Sequence, residues 1–329
     1  MSTKTFAVRR LLLALSLSSL MQAYAAPVTP GVFKGTWAGP AVRTLPGPGP
    51  ALGQTLEQYF ADLKTGPRTP SRKHVLVLGG SRGFVHDSIP AAMAGVWKWG
   101  EDSGLWDADL HTDFVLINGG GGQAMHAGFQ PKGLRDFDAV VVASAEGEWE
   151  LSAAQRAAFL DFVRSGKGLV VMHAGLSANH GWRDYIDMIG AEQVGHPFNT
   201  LEHPVVPFSL INENRNFPAT AFLPATFVKQ DELYTLRNWS RNDVEVLLSM
   251  DRSRMDMKAA GDEVPPDGDI PVTWIKHYGK GRVFASSLGH TKEAFSDPEI
   301  VRMYSEAIKW VLQLSGGEPQ LNRAAGESR

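Results

Sequence analysis

Strand and helix signals alternate from His74 to Met172, and a more β-rich stretch runs from Pro204 to Ser286. Together they predict an α/β protein with a mostly parallel central sheet, helices on both faces and a β-rich C-terminal half. Two continuous apolar runs, at residues 74–78 and 169–172, have the composition of strands buried on both faces. A capped amphipathic helix lies between them, and no internal repeat is visible.

His74-Val75-Leu76-Val77-Leu78 is the first strand and stops at Gly79-Gly80. Ile89, Met93, Val96 and Trp97 then recur at helical spacing, with Asp87 or Ser88 as the N-cap. Phe114 to Ile117 and Ala139 to Ala143 read as two further strands. Ser152 and Gln155 form a capping box for a helix whose apolar face carries Leu151, Phe159, Phe162 and Val163, and Gly166 closes it. Leu169 to Met172 is the next strand, and it delivers His173 at its carboxyl end. In the second half, Pro204 to Ile211 and Val244 to Ser249 are extended. Val272 to Ile275 pairs with Val283 to Ser286 across a turn at Gly279-Lys280-Gly281. Asp297-Pro298 starts the last helix, which buries Val301, Tyr304, Ile308 and Val311.

The ends differ from this body. Arg9-Arg10, an apolar run from Leu11 to Leu20, and Ala23-Tyr24-Ala25 together read as a signal peptide over residues 1–25. The apolar run is shorter than the roughly 20 residues a spanning helix needs. The expected location is therefore periplasmic or secreted, with no membrane attachment after cleavage. Residues 26–73 form a Pro/Gly-rich lead-in with one short amphipathic helix at Gln54–Leu63. Residues 74–315 form the main domain, and residues 316–329 are a polar tail expected to fray.

The chain has no cysteine, which excludes disulfides, thiolate metal sites and a cysteine nucleophile. Removing Lys4, Arg9 and Arg10 with the leader takes the formal charge from −3 to −6. That charge is scattered and includes no basic stripe, so nucleic acid is not an expected partner.

Sites in open α/β sheets form beyond the carboxyl ends of strands. Four stretches meet that condition. The first, residues 79–87, is glycine-rich and carries Gly83, His86 and Asp87 as substrate-binding candidates. It matches neither the phosphate loop nor the dinucleotide fingerprint. Its glycines serve either an oxyanion or simply a tight turn. The second is Met172-His173-Ala174-Gly175, a junction like a nucleophile elbow with an imidazole at its tip. His173 is then a base, a metal ligand, or a structural side chain bonded to a strand-end carbonyl.

The third pairs His196-Pro197 with His203-Pro204, two loop histidines that either ligate a metal, with His196 the chosen ligand, or bond to backbone. The fourth joins Asp231, Glu232 and Tyr234 to His290, which follows a strand end as His173 does. Trp182, Trp239 and Trp274 are candidates to stack on a sugar ring, Trp182 foremost, although at least one belongs in a core.

At these residues the sequence resembles the ThuA-like (trehalose-utilisation) family over about His74 to Leu314. The resemblance rests on ordered segments: residues 83–89, residues 151–174, Gly190-Ala191, His196-Pro197, residues 231–234, residues 271–274, residues 279–284 and Leu288-Gly289-His290. It implies a flavodoxin-like, class I glutamine amidotransferase-like sheet, with His173 near the position where true amidotransferases carry their cysteine. Cysteine-dependent amide hydrolysis is thereby excluded. It also implies the uptake or breakdown of trehalose and related disaccharides, including their 3-keto forms. Many family members carry an acidic residue four positions after the histidine matching His173, where this chain has Ser177.

The functional expectation is an exported protein of carbohydrate metabolism acting on keto-glycosides or trehalose-type disaccharides by elimination or hydration. A carbonyl at C3 acidifies the C2 hydrogen, so a base can expel the C1 substituent. In this scheme His173 or His290 is the base and Asp231 or Glu232 orients it, with a divalent metal held at His196 as Lewis acid. A sugar oxidoreductase would supply the keto-sugar. The alternatives are a non-catalytic sugar-binding module and a hydrolase using Ser177, which lacks the Gly-x-Ser-x-Gly setting.

Overall fold

The structure, a computed structural model, describes residues 72–119, 132–198, 204–257 and 268–320. The leader, the Gln54–Leu63 helix and His203 lie outside the described residues. All described residues belong to the compact unit Thr69–Arg329.

The described residues build a nine-stranded sheet in the order β2-β1-β3-β4-β11-β10-β9-β6-β7. Its parallel part consists of β1 (Lys73–Leu78), β2 (Trp106–His111), β3 (Ala139–Ala143), β4 (Gly168–Met172) and β11 (Gly281–Ser286). An antiparallel extension adds β10 (Pro271–Tyr278), β9 (Glu245–Met250), β6 (Val206–Asn212) and β7 (Thr226–Asp231). Within the nine, only β10 and β6 run against the others, so β1, β3, β4, β7 and β11 all end at the same edge. A separate antiparallel pair, β5 (Glu192–Gly195) and β8 (Thr235–Arg237), lies between these elements in sequence.

Strand alternation sorts the core into two layers. Val75, Val77, Val170 and Met172 face α1 (Ser88–Ser103) and α4 (Pro298–Val311). Leu76, Leu78, Leu169 and Val171 face α2 (Ala153–Arg164) and α3 (Arg183–Ile189). The helices thus cover both faces. Among the described residues no helix is long and apolar enough to cross a membrane.

Local chemistry sets most element ends. Ser152 and Gln155 form the reciprocal capping box of α2. Asp297 accepts from the Glu299 amide at 2.8 Å, with Pro298 opening α4. Asp87 occupies the N-cap position of α1 but makes no side-chain cap bond; it accepts from the Lys292 amide instead.

Three expectations need correction. Phe114 to Ile117 is a turn that buries Phe114, Leu116 and Ile117 and exposes Val115, not a strand: the Ile117 amide bonds back to the Phe114 carbonyl at 3.0 Å. A short apolar run cannot be told from a strand by composition alone. The strand there is β2, whose polar sequence WDADLH is tolerated because it is an edge strand paired only with β1. In α4 the buried stripe runs through Ile300, Met303, Tyr304, Ala307 and Ile308, leaving Val301 half-buried. Gly316 to Gln320 are not frayed: Glu318 pairs with Arg282 and His277, and the Gln320 amide donates to Glu245.

The hairpin from β10 to β11 lies close against α2. A Cβ at Gly281 would overlap the Val163 and Lys167 carbonyl oxygens, whereas one at Gly316 would meet nothing within 4 Å. Gly281→Ala should therefore destabilise the protein by about 1–3 kcal/mol in urea unfolding, as overpacking does, while Gly316→Ala shifts the midpoint little. Equal midpoints for the two variants would contradict this packing.

Candidate active site at the carboxyl edge of the sheet

Of the strands that end at this edge, β1, β3, β4, β7 and β11 send on residues that meet. The parallel register sets Met172 opposite Ser286, which places His173 beside Ser287 at one level. The His173 backbone turns with φ +44°, a left-handed conformation that costs energy for a residue with a side chain. That turn aims the ring across the strand ends. His173 Nδ1–H donates to the Ser287 carbonyl at 2.6 Å, and since a carbonyl can only accept, the proton sits on Nδ1. Nε2 then presents its lone pair inward and accepts from the Tyr234 hydroxyl at 2.8 Å.

Glu232 and His290 complete the cluster. Glu232 Oε2 lies 3.3 Å from His173 Nε2 and 3.0 Å from His290 Nδ1, and those two nitrogens are 3.2 Å apart. His86 packs its ring edge-on against both other imidazoles, with centroids 4.9 and 5.1 Å away. One ligating atom from each of His86, His173, Glu232 and His290 falls within 4.8 Å of all the others.

Asp231 is the buried support. Its carboxylate accepts from the amides of Glu232, Gly289 and His290 at 2.8, 2.8 and 2.9 Å. Gly289 has φ +120°, where a side chain would also press on the Phe295 ring, so this turn requires glycine. Two of these bonds thus lock the turn that carries His290 to the segment that carries Glu232.

The electrostatics follow from burial and close partners. Burial, reinforced by the neighbouring His173 and His290, pushes the His86 imidazole down to about 3 and keeps it neutral. Burial pushes the Glu232 carboxyl up, but the adjoining His173 and His290 imidazoles outweigh it and hold the group well below the usual range. In His290, burial lowers the imidazole while the Glu232 hydrogen bond raises it more, and the net shift is upward. Burial raises Asp231 despite its amide donors.

Of the residues singled out from sequence, His86, His173, Asp231, Glu232, Tyr234 and His290 converge here. Gly83 lies one layer out, where a Cβ would sit 3.0 Å from Glu146 Oε1. Asp87 is more exposed and ties this loop to Lys292 beyond His290. His196 stands beside the cluster: its Nε2 is 3.9 Å from Glu232 Oε1, the other carboxylate oxygen, and accepts from the Gln193 amide at 3.0 Å. It is absent from the four converging ligands.

Trp182 does not reach the site. It is 4% exposed, packs on Tyr185 and lies under Arg156, because α3 turns that ring into the core. Trp274 is likewise buried, donating to the Ile189 carbonyl. Ser177 donates to Gln193 Oε1 at 2.8 Å. In the loop at residues 79–87 the Arg82 amide is taken up by the Glu146 carbonyl, at 2.7 Å.

Two residues escaped the sequence reading. Glu146 follows the end of β3 and comes within 3.8 Å of His86 Nδ1, and burial raises its carboxyl. The strand-end rule that selected His173 would have found it. Gln193 lies within β5 and had no such signal.

Asp231→Ala should strand three buried amide donors and cost on the order of 2–4 kcal/mol in chemical unfolding. Asp231→Asn, which keeps an acceptor oxygen, should cost less. Indistinguishable unfolding of Asp231→Ala and wild type would show that the clamp carries no weight.

The profile of the ThuA family, trehalose utilisation, matches residues 74–311. No curated protein matches the chain. Among solved structures, a ThuA-like protein from Bacteroides uniformis aligns with a TM-score of 0.59 at 22% identity, covering 75% of this chain and 93% of that one. A ThuA-like protein from Parabacteroides merdae aligns with a TM-score of 0.54 at 17% identity, covering 77% and 93%. These likenesses establish the ThuA-like fold, a mostly parallel central sheet with helices on both faces. With the family profile spanning the whole sheet and every strand end that forms the site, the chain belongs to the ThuA (trehalose utilisation) family, and its role is carbohydrate-related.

Proposed function

We propose that the chain is an exported carbohydrate-processing enzyme that acts on a sugar with a ring carbonyl, of the 3-keto-glycoside type. The observation that carries this reading is the convergence of three imidazoles, a carboxylate and a phenol on one spot at the carboxyl edge. A purely structural core would not gather so many groups that are costly to bury.

The reaction is elimination. A base takes the C2 hydrogen, a C1–C2 double bond forms, and the C1–O bond breaks. The departing oxygen takes up a proton. Addition of water to the unsaturated ketone then returns a free keto-sugar.

His86, His173, His290 and Glu232 form the polar floor on which the carbonyl oxygen is bound and polarised. Both ring nitrogens of His173 are engaged, Nδ1 with Ser287 and Nε2 with Tyr234, so His173 acts as a fixed floor residue. His196 is half exposed, stands beside Glu232 and packs edge-on against Tyr234, and once the Gln193 amide releases its Nε2 that nitrogen takes the C2 proton. Glu146 flanks the opposite side through His86. A sugar oxidoreductase must supply the ketone, since none of these groups oxidises an alcohol.

Mass-spectrometric assay of the purified mature protein with 3-keto-trehalose and with trehalose tests the reading. We expect turnover of the keto-sugar alone. His196→Ala should lower kcat by about 100-fold or more, the usual range for a positioned base, with KM little changed. Equal turnover of trehalose would overturn the elimination. Binding of the keto-sugar without conversion would make the protein a binding module.

A further inference from the structure

We propose that His173, His290 and Glu232, joined by His86, form a binding centre for one divalent first-row transition cation. The inference deepens the reading above by naming what polarises the carbonyl, but it rests on the cluster's geometry and not on the identity of the sugar.

The three tightest donor atoms form a triangle with edges of 3.0, 3.2 and 3.3 Å. Four ligands placed tetrahedrally at about 2.0–2.1 Å from a zinc-sized ion lie about 3.3–3.4 Å from one another. The triangle therefore has nearly the dimensions of one face of such a tetrahedron. His86 supplies the fourth corner, somewhat further out, within the 4.8 Å span of the set.

The direction of the lone pairs matches the spacing. His173 donates through Nδ1 to a backbone carbonyl, the arrangement that fixes the tautomer of a ligating imidazole and leaves Nε2 free to bind. The Tyr234 hydroxyl and the hydrogen bond between His290 and Glu232 place protons where the cation would sit. His86 Nδ1 is buried and has no hydrogen-bond partner. The supporting shell is present as well, since Asp231 clamps the amides on either side of the His290 turn.

The donor set also selects the metal class. Nitrogen-rich ligation with one carboxylate suits zinc, iron, cobalt or nickel, whereas calcium and magnesium prefer all-oxygen shells. Two histidines and one carboxylate as the tight triangle, with a more distant fourth group, leave space on the side facing His196 and Tyr234. A cation held there would act as a Lewis acid towards a substrate oxygen.

The test uses chelator-treated full-length mature protein, zinc and cobalt added singly, and elemental analysis after equilibrium dialysis, all without sugar. Wild type should take up about one equivalent. His290→Ala and Glu232→Gln should each weaken uptake by at least about 100-fold, the scale on which even outer-shell losses act. His196→Ala should retain the stoichiometry, and circular dichroism should show each variant folded. A cobalt-loaded sample should also gain visible absorption that Glu232→Gln lacks.

No uptake by wild type, or equal affinity in folded Glu232→Gln, would overturn the proposal. Loss of uptake in His196→Ala with retention in Glu232→Gln would also overturn it, by moving the centre elsewhere. Metal uptake without turnover of keto-sugar would leave this centre standing and remove only the substrate reading.

Discussion

The parallel pairing of β4 with β11 is the constraint on which the site depends. Its register ends both strands at one level, Met172 opposite Ser286, so the next residue of one strand can bond the backbone of the next residue of the other. That single bond fixes the tautomer, orientation and depth of His173. The left-handed His173 backbone is retained because the surrounding packing over-determines it: Ala174 and Leu176 are fully buried, and Tyr185 donates to the Gly175 carbonyl at 3.0 Å. A change of register by one residue would turn alternate side chains to the wrong face and separate these two groups.

The rest of the site is assembled by long-range contacts onto this anchor. Glu232 and Tyr234 come from the far edge strand β7 and the segment after it, His290 from the turn after β11, and His86 from the loop after β1. Asp231 joins the first two sources by accepting amides from both. In so buried a place, a polar network with every member partnered is rigid, while a half-satisfied one is costly. The opposite shifts of Glu232 and His290 express the same coupling: each holds the other's charged form against burial.

The physics of the sheet made much of this legible in advance. Apolar runs identified β1, β3 and β4, because strands buried on both faces leave little freedom of composition. Caps identified α2 and α4, because helix ends must satisfy their amides locally. The strand-end rule selected His173, His290 and Glu232 without knowing that they meet. β2 was hidden because an edge strand may be polar, and Phe114 to Ile117 because a turn that buries three of its four side chains can be as apolar as a strand. Trp182 was misjudged because an aromatic ring in a core and one in a sugar site look alike in sequence. Glu146, just after β3, met the same strand-end rule, whereas the position of His196 beside the cluster depends on how loops from different strands fold over one edge, which no local pattern encodes.

Four side chains from separate strand ends aim at one point. Anomalous diffraction from crystals grown with zinc, collected on either side of the metal's absorption edge, tests this convergence most directly. One strong peak is expected about 2.0–2.2 Å from donor atoms of His173, His290 and Glu232, with Ser287 still accepting from His173 Nδ1. A peak at other residues, or an empty cluster with His173, His290 and Glu232 still bonded to one another, would contradict it.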